Sequence, residues 1–180
     1  MGRSFVFVDR DGTLVEDRGY VHRIEDYAPI PGALEGLRLL CDAGFGIAVI
    51  TNQSGIGRGL FTEQQFSVFQ RHLVDDFAAQ GVRIEATYHC PHRPEAGCGC
   101  RKPGTELLRR AEHDLRASLE QSFVVGDQPS DIEMARLAGC RAVYVLSGQG
   151  ARLRDQLPEG VPVATDLADA AQRILATRPG

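Results

Sequence analysis

The chain has 180 residues, of which 43% are hydrophobic, with five cysteines and a formal net charge of −4. That length suits one domain, residues 1–180, with a sizeable buried core. The acidic, interspersed charge excludes a global basic field of the kind that gathers nucleic acid. No apolar run approaches the roughly 20 residues of a membrane helix. No charged-then-apolar leader opens the chain either, because Asp9 ends the short run Phe5–Val8. The expectation is a cytoplasmic monomer without a membrane or nucleic-acid partner.

Taken in chain order, compact β-branched runs alternate with helical patterns. SFVFVD, FGIAVIT, QSFVVGD and RAVYVL read as strands buried on both faces, and VRIEATYHC and VPVAT as weaker ones. Pro31 opens a helix through Leu34, Leu37 and Leu40 that stops near Gly44. Thr62 and Gln65 form a capping box ahead of Phe66, Phe69, Leu73 and Phe77, which share one face and pack in the core, with Gly81 as the stop. Ser130 with Glu133 reads as a second capping box, Gly139 ends that helix, and Leu167–Leu175 makes a last amphipathic helix. The alternation implies a three-layer α/β/α, Rossmann-like, doubly wound and mostly parallel sheet. Cys41 and Cys140 lie near apolar helix faces and are expected to be small buried hydrophobes.

In such sheets ligands bind beyond the carboxyl ends of the strands, and chemistry-bearing residues recur there. In DRDGT, Asp9 and Asp11 end the first strand, where one carboxylate can attack while the other moves a proton. A plain Asp-Gly turn would look the same. In TNQSGIG, the Thr51 hydroxyl, the Asn52 amide and backbone N–H groups suit phosphate oxygens. Gly55, Gly57 and Gly59 lack the spacing of a dinucleotide fingerprint and fit a flexible loop as well as a ligand contact. Arg101-Lys102 is a fork beside a point charge, or a solvated pair. In GDQPSD, Asp127 and Asp131 can hold a hard cation such as Mg²⁺, or Asp131 can be a first-turn acid.

Cys90, His92, Cys98 and Cys100 form a separate pattern. Three thiolates and one imidazole make a closed tetrahedral Zn²⁺ set, structural because no position stays open. The loop, residues 89–101, is rich in Pro and Gly and poor in apolar content, so a metal would supply its missing core. His89 reads as a non-ligand at a strand end. The loop runs directly into Arg101-Lys102 and would fix those cations in place.

The order DRDGT, TNQ, RKP, GDQPSD resembles the four motifs of the haloacid dehalogenase superfamily of phosphatases, over about residues 5–150. The resemblance implies a capless phosphoric monoester hydrolase. In it Asp9 is the nucleophile and forms an aspartyl-phosphate, and Asp11 is the general acid and base. Thr51 and Lys102 stabilise the phosphoryl group. Mg²⁺ sits on Asp9, the Asp11 carbonyl and Asp127, with Asp131 behind. Within the superfamily the chain resembles two families, the heptose bisphosphate phosphatases of surface-glycan synthesis and the histidinol-phosphate phosphatases. The segments DRGYVHRIEDY and TNQSGIGRGLFTEQQF favour the first. They imply a sugar-phosphate site lined by Asp17, Arg18, Gly19, Tyr20, Asn52, Gln53, Ser54, Arg101 and Gln128. The short zinc loop, and Gln128 where the heptose family tends to carry Lys, favour the second. A DNA 3′-phosphatase would want a basic, aromatic-lined groove that the composition does not announce. A non-catalytic zinc-bearing binding module would not need the full set of acids and cations.

Overall fold

The computed structural model describes residues 2–177. Strand β1 (Phe5–Val8) is buried along its whole length. Its alternation sends Val6 and Val8 into one apolar core and Phe5 and Phe7 into another. Helix α1 (Ala33–Asp42) leads into β2 (Gly46–Asn52). The short α2 (Ser54–Gly57) and long α3 (Glu63–Ala79) precede β3 (Ala86–Cys90). Then come α4 (Glu106–Leu115), β4 (Phe123–Gly126), α5 (Pro129–Ala138), β5 (Arg141–Val145), α6 (Gly150–Leu153), β6 (Val163–Ala164) and α7 (Leu167–Ala176).

The six strands form one parallel sheet in the order β3-β2-β1-β4-β5-β6. Leu37 and Leu40 of α1, Phe69, Leu73 and Phe77 of α3, and Ile174 of α7 cover one face. Leu107, Leu108 and Ala111 of α4, with Met134 and Ala135 of α5, cover the other. The chain moves outward from β1 to β3 and then crosses back to place β4 against β1. The winding therefore reverses between β1 and β4, the place where such sheets open a crevice. No helix among the described residues is long and apolar enough to cross a membrane.

Three local readings change. Helix α1 starts at Ala33 behind the left-handed Gly32 (φ 85°), so Pro31 precedes the helix and does not occupy its first turn. Helix α5 starts at Pro129, whose missing N–H suits the first helical position. This moves the cap from Ser130 to Gln128, whose N–H donates to Asp131 Oδ2 (3.1 Å), while Glu133 pairs with Arg136 (2.7 Å). Helix α4 was not foreseen; it has a cap without a side-chain bond and only ten residues, and its glycine-rich approach hides its start. Cys41 and Cys140 are half-buried and pack against the two cores from their margins.

Candidate active site and thiol loop

The DRDGT turn is folded by its own backbone. The Arg10 carbonyl accepts from Leu14 N–H (2.9 Å) and Val15 N–H (3.1 Å), and Gly12 supplies the left-handed conformation (φ 87°). Asp9 N–H extends the ladder to the Val125 carbonyl (2.9 Å), which sets the Asp9 side chain at the switch point. Asp9 Oδ1 accepts from Arg10 N–H (2.7 Å) and lies 2.9 Å from Lys102 Nζ. The same ammonium lies 2.7 Å from Asp131 Oδ1 and donates to the Ile50 carbonyl (3.1 Å), so two carboxylates and one carbonyl surround it. The Asn52 amide holds the Lys102 backbone, with Oδ1 accepting from its N–H at 3.0 Å.

Asp127 sits beneath this group. Its Oδ2 accepts from Gln149 N–H (2.8 Å), and its buried Oδ1 takes no hydrogen bond among the described residues. Gly12 and Gly148 face the carboxylate so closely that a Cβ on either would strike it. Ser147 Oγ donates to the Gly12 carbonyl (2.8 Å) and closes the cradle. This Ser147–Gln149 loop was missed in the sequence because nothing in its composition signals a carboxylate partner.

Electrostatics follow from the crowding. Burial pushes the Asp9 carboxyl up to about 6, against the pull of Lys102 and with a push from Asp131. Burial and Asp9 push Asp127 up to about 8. Burial disfavours the Lys102 charge, but Asp131 and Asp9 outweigh it and hold its pKa above that of an ordinary lysine. Asp9, Asp127 and Asp131 bring oxygens within 4.8 Å of one another. Three crowded carboxylates, with the Asp127 and Asp131 Oδ1 atoms both buried and without a hydrogen bond among the described residues, fit a hard divalent cation such as Mg²⁺.

Above this floor opens a cleft of about 330 Å³. Asp9, Asp11, Thr51 and Lys102 line it, with Asp17, Gly19, Tyr20, Asn52, Gln53, Ser54, Arg101 and Gln128 around them. Arg18 is not in this wall; it is exposed and pairs with Glu16 (2.7 Å). Ser130, singled out in the sequence only for capping, does line the cleft. The Gln53 amide is already engaged: Nε2 donates to Asp11 Oδ2 (2.8 Å) and to Thr51 Oγ1 (2.9 Å).

At the end of the edge strand β3, Cys90, His92, Cys98 and Cys100 converge. Sulfur-to-sulfur distances are 3.6 Å (Cys90–Cys98), 3.2 Å (Cys90–Cys100) and 3.5 Å (Cys98–Cys100), and His92 Nδ1 lies 3.2 Å from Cys100 Sγ. Thiolates around a tetrahedral zinc, with Zn–S of about 2.3 Å, would stand about 3.8 Å apart, so the donor set fits that ion with a small expansion. Burial opposes ionisation of Cys98, but the Arg101 N–H and its neighbours hold it down to about 7, while burial and the adjacent sulfurs push Cys100 up to about 12. His89 stays outside the cluster, bonded to Glu63 (2.9 Å) and packed on Phe66.

The loop also reaches the second strand's turn. Gln53 N–H donates to the Cys90 carbonyl (2.7 Å), Gly57 N–H to the Pro91 carbonyl (2.8 Å), and Arg93 Nε to the Gly57 carbonyl (2.7 Å). A side chain at Gly57 would meet the Pro91 carbonyl. Gly55 and Gly57 are therefore packed helical positions and not a flexible loop.

A carboxylate pair, a hydroxyl, a lysine and an acidic cation site at a parallel sheet's switch point define a hydrolase of the haloacid dehalogenase type. Residues 99–170 match the HAD-hydrolase-like family model. The chain is 37% identical over 97% of its length to the D-glycero-β-D-manno-heptose-1,7-bisphosphate 7-phosphatase of Pseudomonas aeruginosa, of which it covers 99%. It is 36% identical over 94% of its length to the enzyme of the same name from Escherichia coli, covering 92% of that protein. A crystal structure of D,D-heptose 1,7-bisphosphate phosphatase from B. bronchiseptica, complexed with magnesium and phosphate, superposes with a TM-score of 0.90 at 32% identity, covering 97% of this chain and 99% of that one. The chain belongs to the haloacid dehalogenase-like phosphatases and, within them, to the D-glycero-D-manno-heptose-1,7-bisphosphate 7-phosphatase family.

Proposed function

We propose that this protein hydrolyses the C7 phosphate of D-glycero-D-manno-heptose 1,7-bisphosphate through a phosphorylated Asp9. The observation that carries this reading is the Lys102 ammonium set 2.9 Å from Asp9 Oδ1 on the floor of a polar cleft. A carboxylate approaching a phosphate dianion is repelled by about 4 kcal/mol per charge pair at 4 Å and an effective dielectric near 20. Lys102 offsets part of that repulsion. Asp9, the Asp11 carbonyl and Asp127 would hold Mg²⁺, which when bound neutralises further phosphate charge.

Asp9 Oδ1 is held by Lys102 and the Arg10 N–H, which leaves Oδ2 to attack phosphorus. Thr51 Oγ1 accepts from Gln53, so its own proton is available for a phosphoryl oxygen. Asp11 delivers a proton to the departing sugar oxygen and then takes one from the water that cleaves the aspartyl-phosphate. Burial raises its pKa, while Arg10 and Gln53 hold it back. Arg101 and Gln128 stand on the cleft wall where a second phosphate or the sugar would lie. Zinc on the thiol loop is structural and fixes the Arg101-Lys102 turn. The substrate is a small phosphorylated sugar, and the reading expects a cytoplasmic monomer that binds neither nucleic acid nor membrane.

Histidinol phosphate is the second reading, favoured by the short loop between Cys90 and Cys100 and by Gln128. Phosphate release from the two substrates with Mg²⁺, and Asp9→Asn as blank, separates them. A kcat/KM at least about 100-fold higher on the heptose bisphosphate, about 2.7 kcal/mol of transition-state preference, is the expected result. The reverse preference would overturn the substrate assignment and leave the chemistry standing.

A further inference from the structure

In the sequence, Arg10 only separates Asp9 from Asp11. In the structure its side chain is wholly buried. Arginine is almost never buried so completely unless it is paired. One nitrogen, Nη2, donates to Asp11 Oδ1 (2.8 Å), to the Val21 carbonyl (2.7 Å) and to Gln53 Oε1 (3.2 Å). Nε lies 3.1 Å from both Asp11 oxygens. The guanidinium carbon stands over two aromatic rings, 4.8 Å from the centre of Phe69 and 5.6 Å from that of Phe66. A flat fork on an aromatic shelf is a geometry that lysine cannot copy.

The three acceptors of Nη2 belong to three functional parts. Asp11 is the proposed acid, Gln53 bridges Asp11 to Thr51, and Val21 follows directly on Tyr20, whose backbone is left-handed (φ 53°) in the cleft wall. We infer that Arg10 is a positioning residue: it aims the Asp11 carboxyl at the leaving oxygen and fastens the end of the loop that carries Asp17, Gly19 and Tyr20. This rests on the acid–base reading of Asp11 given above.

The test is leaving-group dependence. A sugar alkoxide needs a proton to depart, whereas p-nitrophenolate leaves without one. Read in the first turnover, before the shared water step in which Asp11 acts as base, Arg10→Lys and Arg10→Met should each slow sugar release by about 100-fold or more and p-nitrophenolate release by less than about tenfold. KM for the sugar phosphate should rise as the loop loosens. Asp11→Asn should show the same selectivity, and a thermal melt confirms that each variant is folded. If Arg10→Met does not fold, Arg10→Lys, which keeps the charge without the fork, decides the matter. Equal losses on both substrates, or no loss on either, would overturn the inference and leave Arg10 a packing residue. Selectivity in Asp11→Asn but not in the folded Arg10 variants would overturn the inference alone. Its absence from Asp11→Asn would overturn the acid–base reading and the inference together.

Discussion

Two clusters of ligand-type side chains sit at the carboxyl end of this sheet, and they are built in opposite ways. The carboxylate floor draws Asp9, Lys102, Asp127 and Asp131 from segments far apart in sequence, all of them buried, with the one ammonium set between two carboxylates and a carbonyl. The thiol loop draws its four donors from residues 90–100, leaves three of them part-exposed or exposed, and gives the sulfurs and imidazole mainly one another as partners. The first cluster is organised by the fold before any ligand arrives. The second has donors that repel one another once ionised, so its order would depend on a bound ion.

The largest effect should come from the floor. Asp9→Asn should lower kcat by about 10⁴-fold or more while the melting temperature holds or rises, because a buried acid with a raised pKa is removed. Substantial turnover by a cleanly purified variant would sink the nucleophile assignment. Next, Lys102→Met should impair both activity and folding. It leaves the Asp9 and Asp131 charges buried without their partner, and urea unfolding should report a loss of about 3–5 kcal/mol. A variant as stable as the parent would show that the floor is not held by this pair.

The thiol loop should fail differently. Cys98→Ser, or prolonged chelation, should remove about one zinc per chain and lower activity by about tenfold or more. Amide exchange should speed up first at Gln53 and Gly57, whose N–H groups bond to the loop. A zinc-free chain with full activity would separate the two clusters altogether.

The last effect is one of pH, read as a slope of stability and not as a loss of activity. Asp9 and Asp127 have folded-state values near 6 and 8, above the ordinary value of 3.8. Between those limits the folded chain holds protons that the unfolded chain has released. Without Mg²⁺, stability is therefore fully present below about pH 4 and is lost as pH rises through 6 and then 8, with at most about 1.4 kcal/mol per pH unit for each proton. Saturating Mg²⁺ should flatten that slope in thermal melts. An unchanged slope would mean that these two carboxylates do not receive the ion.

Residues that carry their chemistry in their own side chain were legible in the sequence. Asp9, Asp11 and Asp127 stand just after strands, Thr51 at the end of one, and Lys102 just after the thiol stretch, whose four zinc-type donors announce themselves by spacing. Less legible was whatever depends on a partner brought in by the fold. Arg10 looks like any arginine until Phe66, Phe69 and Val21 surround it. Ser147 and Gln149 matter only because β5 ends beside β4 and puts them on the Asp127 cradle. Arg18 shows the converse, since proximity in sequence to Asp17 and Gly19 did not bring its side chain into the cleft.

The Lys102 ammonium already stands against three resident oxygens, those of Asp9 (2.9 Å), Asp131 (2.7 Å) and the Ile50 carbonyl (3.1 Å). On the proposed function, an arriving phosphate oxygen would not meet an idle cation; it would compete with those resident oxygens. Anion binding at this lysine is thus an exchange, and its net gain is the difference between two similar contacts. Such a site would hold free inorganic phosphate weakly and let the product go, while a transition state that loads more charge onto the same oxygens would still win the exchange.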